Sequence, residues 1–488
     1  MISKTLDENI TRLDNAFSEC NDTVGRRFPV NTRAGQVWAY IFYIDNLGSR
    51  DLLESSVINR LMLRTVENGI DLFEGIKNSG ITTTDFKETE DFDDLVLAAL
   101  SGDTALFFEG IEKALIISSK GWDSRGVSTA ETEVVVQGPK EAFTETIRTN
   151  TVLVRRRIRD TNLKVWQSKI GRRSSTDIAL MYLEDVVRPD ILEEAKARLS
   201  KIDIDAALDV GHVAQLIEDN WRSVFPQAQI TERPDKAAAA ILEGRIAIVV
   251  DNSPFVMLVP VTLNTFFQSS EDYYERWQIM SLVRIIRYIA GIMAVALPGL
   301  YIAIAVYHPS MLPTLLVLKM AGARQSVPFP AIVEILIMEA AFELLREAGI
   351  RLPSAIGSTM GIVGGLIIGQ AAVEAGLVSP IVVIIVAITG ICGFAVPHVS
   401  LVSGFRLMKY ITLFASAAFG LFGFWLAAFM ILIHLVSLKS LGLPYMFPFA
   451  SAEVNQYSDL KDTIFRMPSF MMKKRPIFAN PKQQTRKS

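Results

Sequence analysis

The spacing of apolar residues along this chain changes near residue 280. Before that point, short runs of β-branched and aromatic residues alternate with stretches of helical periodicity. Such runs are typical of buried strands, and their alternation with helices favours an α/β architecture. The runs lie at residues 37–44, 104–108, 114–117, 178–182 and 246–250, and the helical stretches include 189–199 and 211–220.

This first region is long enough for two subdomains. We place the boundary where a basic run begins, and predict one α/β subdomain at residues 31–150 and a second at residues 151–277. Residues 1–30 are polar and are predicted to form a loose helical tail.

After residue 280 the apolar stretches lengthen. A helix needs about 20 apolar residues to cross the hydrocarbon core of a bilayer, and four stretches without charged side chains reach that length. We therefore predict an α-helical transmembrane bundle at residues 278–440, followed by a C-terminal tail at residues 441–488. The four predicted spans are residues 288–307, 352–373, 375–405 and 410–438.

A fifth span at residues 331–347 is conditional, because this helical pattern carries four glutamates and an arginine. Such a helix lies at the membrane interface or turns its charges into the protein. If it crosses, the basic residues between the spans fall on the cytoplasmic side, as the positive-inside rule prefers, and the C-terminal tail is outside. The basic residues at 473–475 instead favour a tail on the inside. The number of spans and the side of the C-terminus stay open.

Composition narrows the class of protein. Half of the 488 residues are hydrophobic, the formal net charge is −3, and the cysteines number only two, Cys20 and Cys392. This balance does not favour nucleic-acid binding, and the cysteines predict no disulfide framework. The polar N-terminus resembles no signal peptide, so we expect the large N-terminal region to be cytoplasmic.

Enzyme motifs are absent from the sequence. It contains no P-loop, no dinucleotide-binding glycine pattern and no HExxH motif, and its four histidines are scattered. We therefore predict no catalytic residue, no metal site and no cofactor, and expect that the protein is not an enzyme.

Acidic residues at membrane depth are the first candidates for function, because burying them requires water or a partner. Glu339 and Glu343 share a helix face with Glu347, and Glu374 ends another predicted span. In several copies around an axis, they would form acidic rings suited to cations. The alternative is an interfacial helix in which Arg346 pairs with Glu343.

A glycine at every fourth position forms the second candidate feature, a smooth helix face for close packing. The partner of this face is either another helix of the same chain or a second copy. The four glycines are Gly357, Gly361, Gly365 and Gly369.

The densest basic cluster is the third candidate. We interpret it as a solvated or subunit-facing surface, with anionic lipid head groups as the next option. No aromatic stacking pattern accompanies it, as a single-stranded nucleic-acid site would require. The arginines are Arg155, Arg156, Arg157 and Arg159.

Several sequence blocks between residues 115 and 450 resemble the A-subunit family of spore germinant receptors, the GerA family of endospore-forming bacteria. In chain order they read GPKEAFTE (138–145), RTN (148–150), RRRIRD (155–160), TERPD (231–235), LEGR (242–245), DNSPFVMLVP (251–260), DYYER (272–276), VPFPA (327–331), LREAGIRLP (345–353), IGQAAVEAG (368–376) and GLPY (442–445).

The resemblance implies a location in the spore inner membrane, a transporter-like B subunit and a lipoprotein C subunit as partners, and assembly into a ring that releases cations. On this basis we hypothesise that Glu339 and Glu343 line or gate the pathway, with Glu374 as a further candidate. Three alternatives remain: a non-conducting scaffold, a transporter with its own substrate, and the related amplifier of the stage V sporulation protein AF type.

Overall fold

The computed structural model describes residues 1–32, 35–63, 86–121, 129–351, 365, 367–450 and 462–486. The chain divides into two compact units. The α/β unit comprises Met1–Trp221, Ala228–Val261 and Met472–Ser488, and the helical unit comprises Arg222–Gln227 and Thr262–Met471.

The first module of the α/β unit, residues 1–121, is built on a five-stranded antiparallel sheet. Its strands are β1 (Thr23–Thr32), β2 (Gly35–Ile44), β3 (Phe86–Thr89), β4 (Thr104–Phe108) and β5 (Ala114–Ile117), in the order β1-β2-β4-β5-β3. Its helices are Leu6–Ala16, Phe92–Leu100 and the consecutive segments Arg50–Leu53, Glu54–Ile58 and Asn59–Leu63.

Both faces of this sheet are covered by helices. Alternate residues of a strand point to opposite faces, and in β2 Phe42 packs with Leu6 and Leu13 of the first helix. Ile41 of the same strand packs on the other face with Leu53. This double burial explains why β2 reads as a continuous apolar run in the sequence.

The second module, residues 142–261, contains another five-stranded antiparallel sheet. Its strands are β6 (Leu163–Ile170), β7 (Thr176–Leu183), β8 (Gln229–Thr231), β9 (Ile246–Val250) and β10 (Val256–Val259), in the order β6-β7-β9-β10-β8. Its helices are Ile147–Arg155, Pro189–Ser200, Val210–Ile217 and Pro234–Leu242.

The two modules repeat one topology, since both sheets have their strands in the order first, second, fourth, fifth, third. Their hydrogen bonds repeat as well. Asn9 Oδ1 accepts from the amide of Ser3 at 2.9 Å, and Asn150 Oδ1 accepts from the amide of Thr144 at 2.7 Å. The helices that contain these asparagines start alike: Glu109 accepts from the amide of Leu6 at 3.2 Å, and Asp251 accepts from that of Ile147 at 3.0 Å. We infer that the α/β unit is an internal duplication.

Polar contacts join the modules. The buried Arg155 pairs with Asp22, which precedes β1, and the amide of Asn21 donates to the carbonyl of Val165 in β6 at 3.0 Å. Glu19 accepts a hydrogen bond from Tyr182, and this bond together with Lys196 holds the pKa of Glu19 below its usual value.

These elements confirm the strands predicted from β-branched runs and correct two boundaries. Residues 1–30 are not a loose tail, because Leu6 and Leu13 are buried and Thr23–Thr32 pairs with β2 along its length. The predicted subdomain boundary at residue 150 falls inside the helix Ile147–Arg155.

The helical unit contains the helices Trp277–Ile302, Thr314–Arg324, Ala331–Arg351, Pro380–Ala395 and Val399–Ser437, together with helical residues 367–374. The first continues as a π-helix, Ala303–Tyr307, and short 3₁₀ turns lie at Leu263–Phe266, Ser270–Tyr273 and Pro309–Met311. Among the described residues, Trp277–Tyr307 and Val399–Ser437 are the two helices long and apolar enough to cross a membrane.

The predicted spans are only partly reproduced. The helix Trp277–Tyr307 contains residues 288–307, and residues 331–347 are helical as expected. Residues 375–405 are not one span, because the helix Pro380–Ala395 ends before a new helix starts at Val399. Most of residues 352–373 lie outside the described residues.

The helix Val399–Ser437 consists of two arms that fold back on each other. Its backbone leaves helical geometry at Gly420, where φ is 58° and ψ is −137°. The ring of Phe225 lies 6.4 Å from that of Phe405 on one arm and 5.9 Å from that of His434 on the other. In one straight helix Phe405 and His434 would be about 43 Å apart. The predicted span 410–438 is therefore interrupted at Gly420.

The chain after the second arm is not a loose tail. Two short strands, Lys439–Ser440 and Leu443–Pro444, pair with each other, and Tyr445 and Phe447 are buried in the helical unit. Further on, Phe478 and Ala479 are buried in the α/β unit, and a 3₁₀ turn follows at Pro481–Gln483. This corrects the predicted C-terminal tail at residues 441–488.

Candidate functional site

The candidate glutamates of the helix Ala331–Arg351 are paired with cations of the same chain. Glu339 is buried, and its Oε2 accepts a hydrogen bond from the buried ammonium of Lys409 on the first arm of the helix Val399–Ser437. Its other oxygen, Oε1, has no hydrogen-bond partner among the described residues. A carboxylate oxygen buried in this way is a site where a proton, water or cation would be stabilised.

Glu343 lies one helical turn further on and meets two arginines. Arg346 pairs with it from the same helix, and Arg406 approaches it to 3.4 Å from the first arm. These three side chains and Lys409 contribute to the wall of a cavity of about 40 Å³. That volume is large enough for a water molecule, and the rest of the wall is mostly apolar, with Phe342, Phe394 and Phe405 beside the charged groups.

Glu334 forms a third pair on the helix Ala331–Arg351. Its side chain is fully buried, with Arg324 at 3.1 Å and the amide of Ser379 donating to it at 2.8 Å. The sequence places Glu334 on a different face from Glu339. The structure shows that it has an internal partner too, so the helix buries carboxylates on more than one side.

Glu374 and Glu347 differ from these three glutamates because they are exposed. Glu374 accepts a hydrogen bond from Gln370 at 2.9 Å, four residues earlier on the helix. The expected common face of Glu339, Glu343 and Glu347 is therefore graded, from buried to half-buried to exposed.

The glycine face is described in part. Gly357 and Gly361 lie outside the described residues. An added Cβ at Gly365 would meet no atom within 4 Å, and one at Gly369 would meet Val383 at an ordinary 3.5 Å. Close approach of helices occurs elsewhere: a Cβ at Gly299 would lie 2.9 Å from the carbonyl oxygen of Thr412.

The basic run does not form one surface. Arg155 is buried and paired with Asp22, which corrects its assignment to an exposed interface. Arg156 and Arg157 are half-buried beside Glu141, at 3.5 Å and 2.6 Å. Arg159 is exposed and remains compatible with an interface.

One buried charge cluster was not predicted from sequence. Arg284 and Arg287, near the start of the helix Trp277–Ile302, both bind the carboxylate of Asp272, at 2.8 Å and 2.7 Å. Arg284 also binds Asp462 at 2.8 Å. The distance in sequence between Arg284 and Asp462 left no local signal for this pairing.

Comparisons with known proteins agree across the chain. The sequence pattern of the family described as Bacillus/Clostridium GerA spore germination protein matches residues 11–478. Spore germination protein GerLA of Bacillus cereus is 40% identical over 91% of this chain and 90% of its own length. Spore germination protein KA of Bacillus subtilis (strain 168) is 39% identical over 100% of this chain and 89% of its own.

A solved structure also aligns with this chain. It is the crystal structure of the N-terminal domain of the A subunit of the Bacillus megaterium spore germinant receptor GerK3. The alignment covers 53% of this chain and 96% of that domain, with 33% identity and a TM-score of 0.43.

Proposed function

The chain belongs to the GerA family of spore germination proteins, and from this premise we propose that it is the A subunit of a nutrient germinant receptor whose helical unit forms or gates a cation-release pathway. The observation that carries the proposal is the buried Glu339 on a helix of the apolar half of the chain, with one oxygen on Lys409 and the other without a partner among the described residues. A pathway for cations needs such oxygen ligands in a low-dielectric surrounding.

The ion pairs that the glutamates form within one chain suggest how the pathway would open and close. Lys409 and Arg406 neutralise Glu339 and Glu343 in the present conformation. We infer that this arrangement is closed to cations, and that opening moves the first arm of the helix Val399–Ser437 so that the carboxylates are freed. Permanent pairing would instead suit the second candidate function, a scaffold that relays a signal without conducting ions.

Oligomerisation is part of the proposal. Of the described glycines of the ladder, Gly365 is exposed and an added Cβ would meet no atom within 4 Å, whereas Gly369 is buried and faces Val383 of the same chain. A smooth helix face of this kind suits a second copy. The partners we propose are further copies in a ring, the transporter-like B subunit and the lipoprotein C subunit, in the spore inner membrane and in contact with its lipids.

The path of the chain supports a topology for the proposed subunit. Residues 472–486 are part of the α/β unit, so the chain leaves that unit for the helices and returns to it. Because the α/β unit lies on one side of the membrane, the number of crossings must be even. We propose that this side is the cytoplasm, in accord with Lys473 and Lys474 and the positive-inside rule.

We predict that a cysteine at the exposed Lys482 reacts with a membrane-impermeant maleimide in inside-out vesicles and not in right-side-out vesicles. The unaltered chain is the control, because Cys20 and Cys392 are both buried. Labelling of Lys482→Cys from the outside would rule out an even number of crossings with a cytoplasmic α/β unit.

The function itself is tested by potassium release from dormant spores that lack only this chain. We expect release to be lost or slowed for one class of nutrient and restored by the unaltered gene. Several nutrient mixtures are compared, because related receptors act in parallel. Slight slowing for every nutrient would favour the amplifier, and unchanged release for all would contradict the receptor proposal.

A further inference from the structure

The chain that follows β5 in the first module runs back along the turn that follows β2. Gly48 and Lys120 form an antiparallel bridge, and the amide of Gly121 donates to the carbonyl of Leu47 at 3.3 Å. In the first module, the turn after β2 is therefore covered by residues that come directly after the module's own last strand.

In the second module, the corresponding turn, after β7, is covered by a segment that is distant in the sequence. After β10 the chain enters the helical unit at Thr262, so its own continuation does not take this place. Val187 stands where Gly48 stands in the first module, and its antiparallel bridge partner is Ala479. The amide of Asn480 donates to the carbonyl of Val186 at 2.7 Å, which repeats the bond from Gly121 to Leu47.

A matching pair of glycines lines this position in the two modules. Gly102 has φ +98°, and an added Cβ would lie 3.4 Å from Cγ of Lys120. Gly244 has φ +94°, and its Cβ would lie 2.7 Å from Cα of Ala479. Both the repeated bridge and the repeated close approach identify residues 478–480 as the counterpart of residues 119–121.

Side chains anchor the C-terminal segment on both sides of Ala479. Ala479 is fully buried in the core of the second module. The guanidinium of Arg245 lies 5.4 Å from the ring centre of Phe478, and its Nε donates to the carbonyl of Pro260 at 2.9 Å. Arg486 pairs with Glu243 at 2.6 Å. Burial lowers the pKa of Arg245 to about 10, which leaves it charged at neutral pH.

The segment makes a turn, in which the amide of Ala479 donates to the carbonyl of Pro476 at 3.1 Å. We propose that residues 475–480 are a donated segment that completes the second module, and that the groove beneath them is a binding site for a peptide that makes such a turn and has a small side chain at the position of Ala479. Main-chain hydrogen bonds supply affinity and side-chain pockets supply specificity in peptide capture of this kind. Here the bond from Asn480 to Val186 and the burial of Ala479 take these two parts. This inference is independent of ion conduction.

The test uses the full-length chain in detergent and a fluorescent peptide of residues 472–486. The unaltered chain binds little peptide, because its own segment fills the groove. Ala479→Glu places a carboxylate against the backbone of Gly244 and displaces the segment, so we expect this variant to bind the peptide at least about tenfold more tightly. Lys482→Glu, at an exposed position of the same segment, is the matched control and should behave like the unaltered chain.

A peptide that itself carries Ala479→Glu should not bind to any of the three chains. Equal binding of the unaltered peptide by the unaltered chain and by Ala479→Glu would overturn the proposal, as would no binding by an Ala479→Glu chain that melts like the control. If the Ala479→Glu variant fails to fold, the placement of the segment is tested by a disulfide between Val187→Cys and Ala479→Cys in the otherwise unaltered chain. Bridge partners lie within disulfide range, so failure of this pair to cross-link would also refute the placement.

Discussion

Replacing Glu339 by glutamine leaves the ammonium of Lys409 buried without its carboxylate, and we expect the helical unit to lose about 3–5 kcal/mol of stability. The penalty arises because Lys409 is almost fully buried in the pair, and a buried charge without its partner is costly. Lys409→Gln should have a similar effect, since it leaves the carboxylate of Glu339 unpaired. The measurement is the unfolding midpoint of the purified chain in detergent, together with receptor level in spores.

The double variant Glu339→Gln/Lys409→Gln distinguishes charge from shape. It removes both charges, so we expect it to recover most of the lost stability. Glu374→Gln is the exposed control and should leave the midpoint unchanged. If the double variant assembles normally and its spores release potassium at the unaltered rate, Glu339 is not part of the ion pathway.

Gly420→Ala is expected to destabilise the helical unit by about 3 kcal/mol or more. At φ 58° and ψ −137°, the backbone of Gly420 occupies a region that residues with a Cβ avoid, and strain there amounts to about 1–3 kcal/mol. The added Cβ would also lie 2.8 Å from the ring of Tyr307, which adds overpacking of about 1–3 kcal/mol.

The matched control for this change is Gly322→Ala. Gly322 lies within the helix Thr314–Arg324, and an added Cβ there would meet no atom within 4 Å. Alanine favours helix over glycine by about 1 kcal/mol, so this control should be neutral or slightly stabilising. Equal unfolding midpoints for Gly420→Ala and the unaltered chain would show that the two arms do not require this backbone conformation.

Local pattern accounts for much of the α/β unit. The strands β4, β5 and β9 begin and end at the predicted residues, because each is a continuous apolar run bounded by turn residues. The strand β1 escaped prediction because Arg26, Arg27 and Pro29 disrupt its apolar pattern. β1 lies at the edge of the sheet and has β2 as its one neighbour among the described strands, a position that tolerates a proline.

The features that could not be predicted from the sequence depend on contacts between residues that are far apart in the chain. The glutamates were recognisable as candidates from their apolar context, whereas Lys409 and Asp462 are separated from their partners by 70 and 178 positions. The helix break at Gly420 could not be predicted from the sequence either, because glycine is common in helices that cross membranes. Its conformation depends on contacts with Tyr307 and with the facing arm. The prediction of an exposed surface was wrong for Arg155, which is buried and paired with Asp22. Charge density in the sequence does not distinguish an exposed surface from an internal ion pair.

The burial of Ala479 in the core of the second module has a consequence for synthesis. Ala479 leaves the ribosome 220 residues after Val259, the end of the last strand of that module. At about 5–20 residues per second, this delay is roughly 10–45 s, during which the helical unit is made. The second module therefore reaches its final packing only after the helices have been translated, so a ribosome that stalls among them leaves an α/β unit with an open core.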